Sequence, residues 1–219
     1  MVANNHPSEA SVRSETTSVR APGRVSVIVP LYDGGRFIEQ TLQSVLTQTH
    51  TDLEVIVVDD DSSDDGPERV DELARREPRV RLIRTPHSGI ASTRNAGLRE
   101  ISADSCFVLL LDQDDVLAPG MLTELTRRLH ERPEAVGAYA LADFIDEYGR
   151  PFGDGWFAAA MRSRTTLRKG RFVPVPANAD VRWPDMFVSN LLYPPSAVLL
   201  RRRAVEDVGG LSTGYSVAR

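Results

Sequence analysis

Three carboxylates in four positions, Asp112, Asp114 and Asp115, follow directly on the apolar run Phe107–Leu111. Carboxylates this close repel one another unless a cation or hydrogen-bond donors hold them. Oxygen-only ligands suit a hard divalent ion, and Mg²⁺ sites typically combine one or two carboxylates with substrate phosphates. The spacing therefore points to metal-assisted handling of a phosphate-bearing ligand. The alternative is a solvated acidic turn leading into a helix, with Pro119 in its first turn. A second acidic group, Asp59, Asp60 and Asp61 followed by Ser62, closes the run Leu53–Val58. A third loop carries Pro30, Tyr32 and Asp33 after Val25–Val29. Arg94 offers a planar guanidinium suited to phosphate or carboxylate. Neither GxGxxG nor GxxxxGK[ST] occurs, so a bound phosphate would be neutralised by a metal on the acids and by arginine rather than by a backbone cradle. Asp33 and Asp65 read as turn or cap residues.

The elements that must position these residues alternate along the chain. Val25–Val29 is a β-branched strand stopped by Pro30. Ile38, Leu42, Val45 and Leu46 then recur at helical spacing. Leu53–Val58 is a second buried strand, and Pro67 is a candidate first residue of a helix faced by Val70, Leu73 and Ala74. Val80, Leu82 and Ile83 predict a third strand, Ile90–Ile101 a third helix, Cys106–Leu111 a fourth strand, and Leu122, Leu125 and Leu129 a fourth helix. This alternation predicts an α/β fold with a mainly parallel sheet covered by helices on both faces. Ligands of open α/β sheets bind outside the carboxyl ends of the strands, where all three acidic loops would meet.

Beyond residue 135 the pattern weakens. Ala135–Leu141 and Ala197–Leu200 look like strands, while residues 150–195 hold Gly, Pro, aromatics and Arg without a period. Such a stretch could form the wall that receives a second substrate. The expected organisation is a disordered polar tail at 1–23, a ligand-binding subdomain at 24–135 and a second subdomain at 136–219. The set Arg162, Arg164, Arg168, Lys169 and Arg171 reads as solvated, with a phosphorylated or anionic-lipid acceptor as the alternative. Arg201, Arg202 and Arg203 read as the start of a solvated helix face.

Composition narrows the classes. The 219 residues are 41% hydrophobic and 26% charged, as in soluble globular proteins. A net charge of −5 gives no sign of nucleic-acid binding. Cys106, the single cysteine, excludes an internal disulfide and a cysteine zinc cluster, and reads as a small buried residue. The four histidines show no metal-ligand spacing. No run approaches the length of a membrane span, and the N-terminus lacks an apolar signal core. The expected setting is cytoplasmic, with peripheral contact at the inner face of the membrane left open.

The segments VSVIVPLYDGG, EVIVVDDDSSDDGPE, SGIASTRNAGL and LLLDQDDVLAPG, in that order, resemble the inverting glycosyltransferases of family 2. The resemblance covers roughly residues 24–130. It implies a GT-A fold, a Rossmann-like open sheet, and transfer of sugar from a nucleotide-diphosphate-sugar donor to a hydroxyl of a glycan, lipid-linked or other acceptor. By the same resemblance, Pro30 and Tyr32 lie against the nucleotide base. Asp60 bonds the base edge, Asp59 shapes that loop, and Arg94 and Asn95 sit near base and diphosphate. Asp112, Asp114 and Asp115 match the DxDD form of the DxD motif, which holds ribose and a Mg²⁺ or Mn²⁺ bridging the diphosphate. The metal ligand is Asp114 or Asp115. The donor nucleotide is a uridine, thymidine or guanosine diphosphate.

The family's base is an Asp or Glu shortly after a GGFD-like turn. Gly209-Gly210-Leu211-Ser212 matches that turn, with Ser212 where Asp is common, and no acid follows before Arg219. The expectation is a chain cut before its base, or one that lacks it, with Asp185 as a conceivable substitute. A nucleotide-sugar-binding module without turnover is therefore the alternative, and a nucleotidyltransferase a more distant one.

Overall fold

The computed structural model describes residues 23–151, 165–168, 171–176, 179–181 and 194–213. Residues 1–22 of the expected tail and Asp185 lie outside these, as do Arg162, Arg164 and Lys169 of the basic set. The first eight elements follow the predicted alternation: β1 (Arg24–Leu31), α1 (Ile38–Leu46), β2 (Leu53–Asp59), α2 (Gly66–Ala74), β3 (Val80–Arg84), α3 (Ile90–Arg99), β4 (Ser105–Leu110) and α4 (Met121–Glu131). There follow β5 (Gly137–Tyr139), β6 (Thr165–Arg168), β7 (Arg171–Pro174), a 3₁₀ turn (Pro195–Ala197), β8 (Val198–Arg201) and α5 (Arg202–Asp207). The main sheet has the order β3-β2-β1-β4-β8-β5. Its first four strands are parallel, whereas β8 runs antiparallel to both β4 and β5. This is the expected mainly parallel α/β sheet.

Burial explains why β1, β2 and β4 are apolar along both faces. On one face Val25, Val27, Val29 and Leu31 pack with Ile38, Leu42 and Val45 of α1, Val70 of α2 and Leu122, Leu125 and Leu129 of α4. Their spacing of three or four residues puts each helical set on one stripe. Each fully buried Leu or Val contributes about 1.5–3 kcal/mol relative to exposure. On the other face α3 lies against β1 and β2, and α5 against β4. Gly97 permits that approach: a Cβ there would stand 2.5 Å from Ile28 Cγ2 and 3.2 Å from Val58 Cγ2.

Several local expectations need correction. Pro30 does not stop β1 but is a buried residue within it, paired opposite Val58. Val25 N–H and Leu31 C=O bond toward β2, so the even-numbered residues present their backbone toward β4. The β4 ladder ends at Ile28 opposite Leu110, and the N–H that Pro30 lacks has no strand to meet. Cys106 is exposed, not buried. The register steps from Arg24 opposite Ser105 to Val25 opposite Phe107. That bulge turns Cys106 outward and puts Ser105 on the Ser26 face. Pro119 precedes α4, which Gly120 opens at φ +76°. Arg201 and Arg202 are not solvated. Arg201 donates to Leu129 O at 2.6 Å and Ala135 O at 2.7 Å, and Arg202 to Ser102 O at 2.8 Å. These carbonyls lie at or beyond helix ends, where no intrahelical donor remains. The antiparallel β6–β7 pair lies within the stretch that read as aperiodic; four-residue strands are too short to show a period. Among the described residues no helix is long and apolar enough to cross a membrane.

At the amino edge of the sheet, buried Glu54 accepts from Ser26 Oγ at 2.6 Å, Ser102 N–H at 2.7 Å and Ser102 Oγ at 2.7 Å, with Arg81 at 3.2 Å. Burial alone would raise its pKa. The two serines and Arg81 outweigh that and hold it below the ordinary glutamate value. A depressed folded-state pKa contributes stability above the unfolded-state pKa, and this is lost as pH falls through the folded value. Glu54→Gln is expected to cost about 1–3 kcal/mol at neutral pH and to flatten the loss of stability on acidification; urea unfolding across pH checks both. Gly97→Ala is expected to cost about 1–3 kcal/mol by overpacking α3 against Ile28, measured as a lowered urea midpoint with unchanged slope.

Candidate functional site

The loops leaving β1, β2, β3 and β4 meet at the carboxyl edge of the sheet and are tied to one another through their acids. Asp33, at φ +47°, accepts from Ser63 N–H at 2.7 Å and Ser63 Oγ at 3.0 Å, while its own N–H donates to Ser62 Oγ at 3.1 Å. The Ser63 N–H, then its hydroxyl, hold the Asp33 carboxyl below the ordinary range. Asp64 accepts from Gly35 N–H at 2.7 Å and Gly66 N–H at 2.9 Å. A Cβ on Gly35 would lie 2.5 Å from Asp65 Oδ1, so this close crossing requires glycine. Asp33 is thus a turn residue as expected. Asp65 occupies the N-cap position of α2, but its carboxylate pairs with Arg69 at 2.8 Å instead of capping.

Asp59 and Asp60 are both buried at the end of β2. Asp59 accepts from Ser62 N–H at 3.1 Å. The Asp60 carboxylate accepts from Ser88 N–H at 2.8 Å, Gly89 N–H at 2.9 Å and Ser88 Oγ at 3.2 Å, and His87 Nδ1 lies 3.2 Å from it. Burial pushes its pKa up, but the donors of Ser88, Gly89 and Thr93 prevail and hold it low. Asp60 therefore organises the turn that opens α3. That turn sets His87 against Tyr32, with ring centroids 4.7 Å apart, and both rings are largely exposed. Two flat, accessible rings beside the strand ends can receive a third flat group. His87 was not legible as a site residue, because only the meeting of two distant loops pairs it with Tyr32.

The four residues Asp112–Asp115, just beyond β4 and Leu111, point to different partners. Asp112 pairs with the buried Arg94 guanidinium from the first turns of α3, and Arg94 Nε is buried without a hydrogen-bond partner. Gln113 Oε1 accepts from Tyr32 N–H at 2.8 Å and its Nε2 donates to Tyr32 O at 3.1 Å, so its amide acts as one further rung beside β1. Its space exists because residue 34 is glycine: a Cβ there would overlap the Gln113 side chain. Asp114 is exposed and faces a cavity of about 160 Å³ lined by Phe37, Gln40, Val116, Ile145, Asp146 and Glu147. Asp115 is half-buried. Burial, together with the like charges of Asp112 and Asp114, outweighs the opposing influence of the Ser196 hydroxyl and raises its pKa.

Among the described residues no three His, Cys, Asp or Glu side chains converge closely enough to hold an ion unaided. The donor set is nevertheless oxygen-only, and its like charges already disfavour one another at Asp115. That chemistry fits a hard cation completed by phosphate oxygens and water.

Asn95 is placed differently from Arg94. Its Oδ1 accepts from Leu211 N–H and its Nδ2 donates to Leu211 O, both at 2.8 Å. This rung docks the Gly209–Gly210 turn on α3, and a Cβ on Gly210 would lie 2.8 Å from Asn95 Oδ1. The structure thus gathers Tyr32, Asp59, Asp60, Arg94, Asp112, Asp114 and Asp115 around the strand ends. Pro30 lies buried in β1 behind them, and the Asn95 amide is committed to Leu211. Asp60→Asn replaces one accepting oxygen with a donor that faces other donors. We expect a cost of about 1–3 kcal/mol and faster hydrogen exchange at the Ser88 and Gly89 amides than elsewhere in α3.

Comparison with known proteins agrees with this architecture. Residues 26–208 match the family described as Glycosyl transferase family 2. The chain is 35% identical over 107 residues to the uncharacterized glycosyltransferase EpsJ of Bacillus subtilis (strain 168), covering 49% of this chain and 30% of that one. It is 38% identical over 95 residues to the chondroitin synthase of Pasteurella multocida (strain Pm70), covering 43% and 10%. The crystal structure of S. aureus TarS 1-349 superposes with a TM-score of 0.65 at 22% identity, over 89% of this chain and 52% of that one. The mannosyltransferase PcManGT of Pyrobaculum calidifontis, solved with GDP-Man and Mn²⁺, superposes at 0.60 with 23% identity, over 88% and 48%. These likenesses show the α/β Rossmann-like GT-A fold. The chain spans about a third or less of the length of these two sequence relatives and about half of these two solved structures. With the family match running through β1 to α5, this protein belongs to glycosyl transferase family 2.

Proposed function

We propose that the protein binds a nucleotide-diphosphate sugar at the carboxyl edge of β1–β4 and transfers the sugar, with inversion, to an acceptor hydroxyl. The observation that carries this reading is the gathering, at one edge, of an exposed Tyr32–His87 ring pair, the Arg94–Asp112 pair and the outward-facing Asp114. Support for a nucleotide-sugar donor comes from TarS, solved with UDP-GlcNAc, and PcManGT, solved with GDP-Man and Mn²⁺.

In this reading the base stacks beside Tyr32 and His87. Asp60 acts through the turn it holds, because its oxygens already accept from Ser88 and Gly89. Asp59 fixes the neighbouring Ser62 turn, and Pro30 keeps β1 extended up to Tyr32. Arg94, with a free Nε, shifts part of its pairing from Asp112 to the diphosphate, and Asp112 turns to the ribose. Asp114, without a partner among the described residues, and Asp115 would hold Mg²⁺ or Mn²⁺, which would supply Lewis-acid stabilisation of the departing diphosphate. Residues 24–135 would form the donor half, and the described residues from 136 onward would face the acceptor side. The setting is cytoplasmic.

Inverting displacement forms a bond from the acceptor oxygen to the anomeric carbon as the bond to the diphosphate breaks. A base takes the hydroxyl proton, and such bases contribute about 10²–10⁴-fold. Asp185 and residues 214–219 lie outside the described residues. Asn95 holds the Gly209–Gly210 turn beside α3, next to the donor half.

Asp114→Asn removes a charged oxygen while keeping its shape. Titration calorimetry with UDP and GDP is expected to show affinity raised by Mn²⁺ in the parent and at least tenfold less Mn²⁺ dependence in the variant; equal dependence would falsify the metal assignment. Tyr32→Ala and His87→Ala are each expected to weaken nucleotide binding about 5–10-fold, the scale of one lost ring contact, with or without Mn²⁺. Sugar transfer monitored with UDP- and GDP-sugars separates an enzyme from a module that binds and does not turn over.

A further inference from the structure

Ser196 lies far along the chain from the acidic motif, between Pro195 and Ala197, and no motif marks it. Its hydroxyl oxygen accepts from Asp112 N–H at 3.0 Å. Ser196 is 4% exposed, so water does not compete freely for that bond. The position follows from strand register. β8 pairs antiparallel with β4, Leu109 opposite Leu199 and Phe107 opposite Arg201. Continuing that register brings Ser196 opposite Asp112. A slip of one residue would bring Pro195 or Ala197 there, and neither carries a hydroxyl. The 3₁₀ turn that holds Ser196 is closed by Ala197 N–H to Pro194 O at 3.0 Å, and prolines at 194 and 195 restrict its backbone.

We propose that Ser196 is a positioning residue for the acidic motif, fixing the Asp112 backbone beyond the end of β4 so that Asp114 and Asp115 are presented toward a cation and a diphosphate. Outer-shell partners of a metal site fix the orientation of its ligands, and losing one typically costs about 10–100-fold in metal affinity. Ser196 sits in the 3₁₀ turn that leads directly into the antiparallel β8. The same bond therefore couples acid geometry to the seating of β8 against β4. The inference rests on the donor-site reading above.

The test compares Ser196→Ala and Ser196→Cys with the parent chain, using UDP and GDP with and without Mn²⁺ in titration calorimetry, and thermal unfolding alongside. The Ala variant is expected to lose about tenfold in the Mn²⁺-dependent part of nucleotide affinity while metal-free affinity stays unchanged. Cys, similar in shape but a weaker hydrogen-bond acceptor, is expected to fall between, and it carries the test if the Ala variant does not fold. Ser26→Ala, which removes a buried hydroxyl at the opposite edge of the sheet, controls for lost stability and is expected to leave Mn²⁺ dependence intact. Full Mn²⁺ dependence in Ser196→Ala, or in Ser196→Cys where only that variant folds, overturns this inference alone. Parent binding that ignores Mn²⁺ overturns the donor-site reading and this inference with it.

Discussion

Carboxylates crowded at the carboxyl edge of a parallel sheet must each find a donor or stay in water, and the surrounding loops are built to meet that demand. A buried charge without partners is strongly disfavoured. Asp33, Asp59, Asp60 and Asp64 solve the problem by accepting backbone N–H groups from neighbouring turns. Each such bond reaches across from one loop to another or closes a turn at a helix start. The acids are therefore the ties that turn separate strand-end loops into a continuous rim. Gly35 and Gly66 follow from this, because the ties draw their backbones too close for a Cβ.

The rim leaves an asymmetric remainder. Asp112 is met by Arg94 through its carboxylate and by Ser196 through its N–H, Asp115 is half-buried, and Asp114 faces outward. An acid cluster in which one member stays uncommitted differs from a saturated ion-pair network, whose charges are all neutralised within the protein. The difference depends on α3, which carries Arg94 on the turn below Gly97. Close packing of Gly97 on Ile28 and Val58 brings the guanidinium down to the level of Asp112. Packing on one face of the sheet thus decides the charge balance at its edge.

The two edges of the sheet use polar groups differently. At the amino edge, Glu54 is enclosed by Ser26, Ser102 and Arg81 and serves stability. At the carboxyl edge, exposed rings and a free carboxylate remain beside saturated acids. The placement of ligands at the carboxyl ends of parallel strands here has a local cause: the strands end together, and their helices start from turns rich in N–H donors.

The alternation of strands and helices to Glu131, the buried runs of β1, β2 and β4, and the meeting of three acidic loops at one edge were legible in the sequence, because apolar periodicity and turn residues are local signals. The motif order was legible for the same reason, since each block spans one strand end. Tertiary structure alone decided which acid keeps a free face, since that depends on partners such as Ser88, Arg94 and Ser196 arriving from other elements. It also decided that Cys106 points outward at a bulge, that Pro30 lies within β1, and that Asn95 holds Leu211. A strand of four residues, such as β8, carries too little pattern to reveal its direction or register. Those come from long-range pairing with β4, and Ser196 reaches the acids only through that pairing.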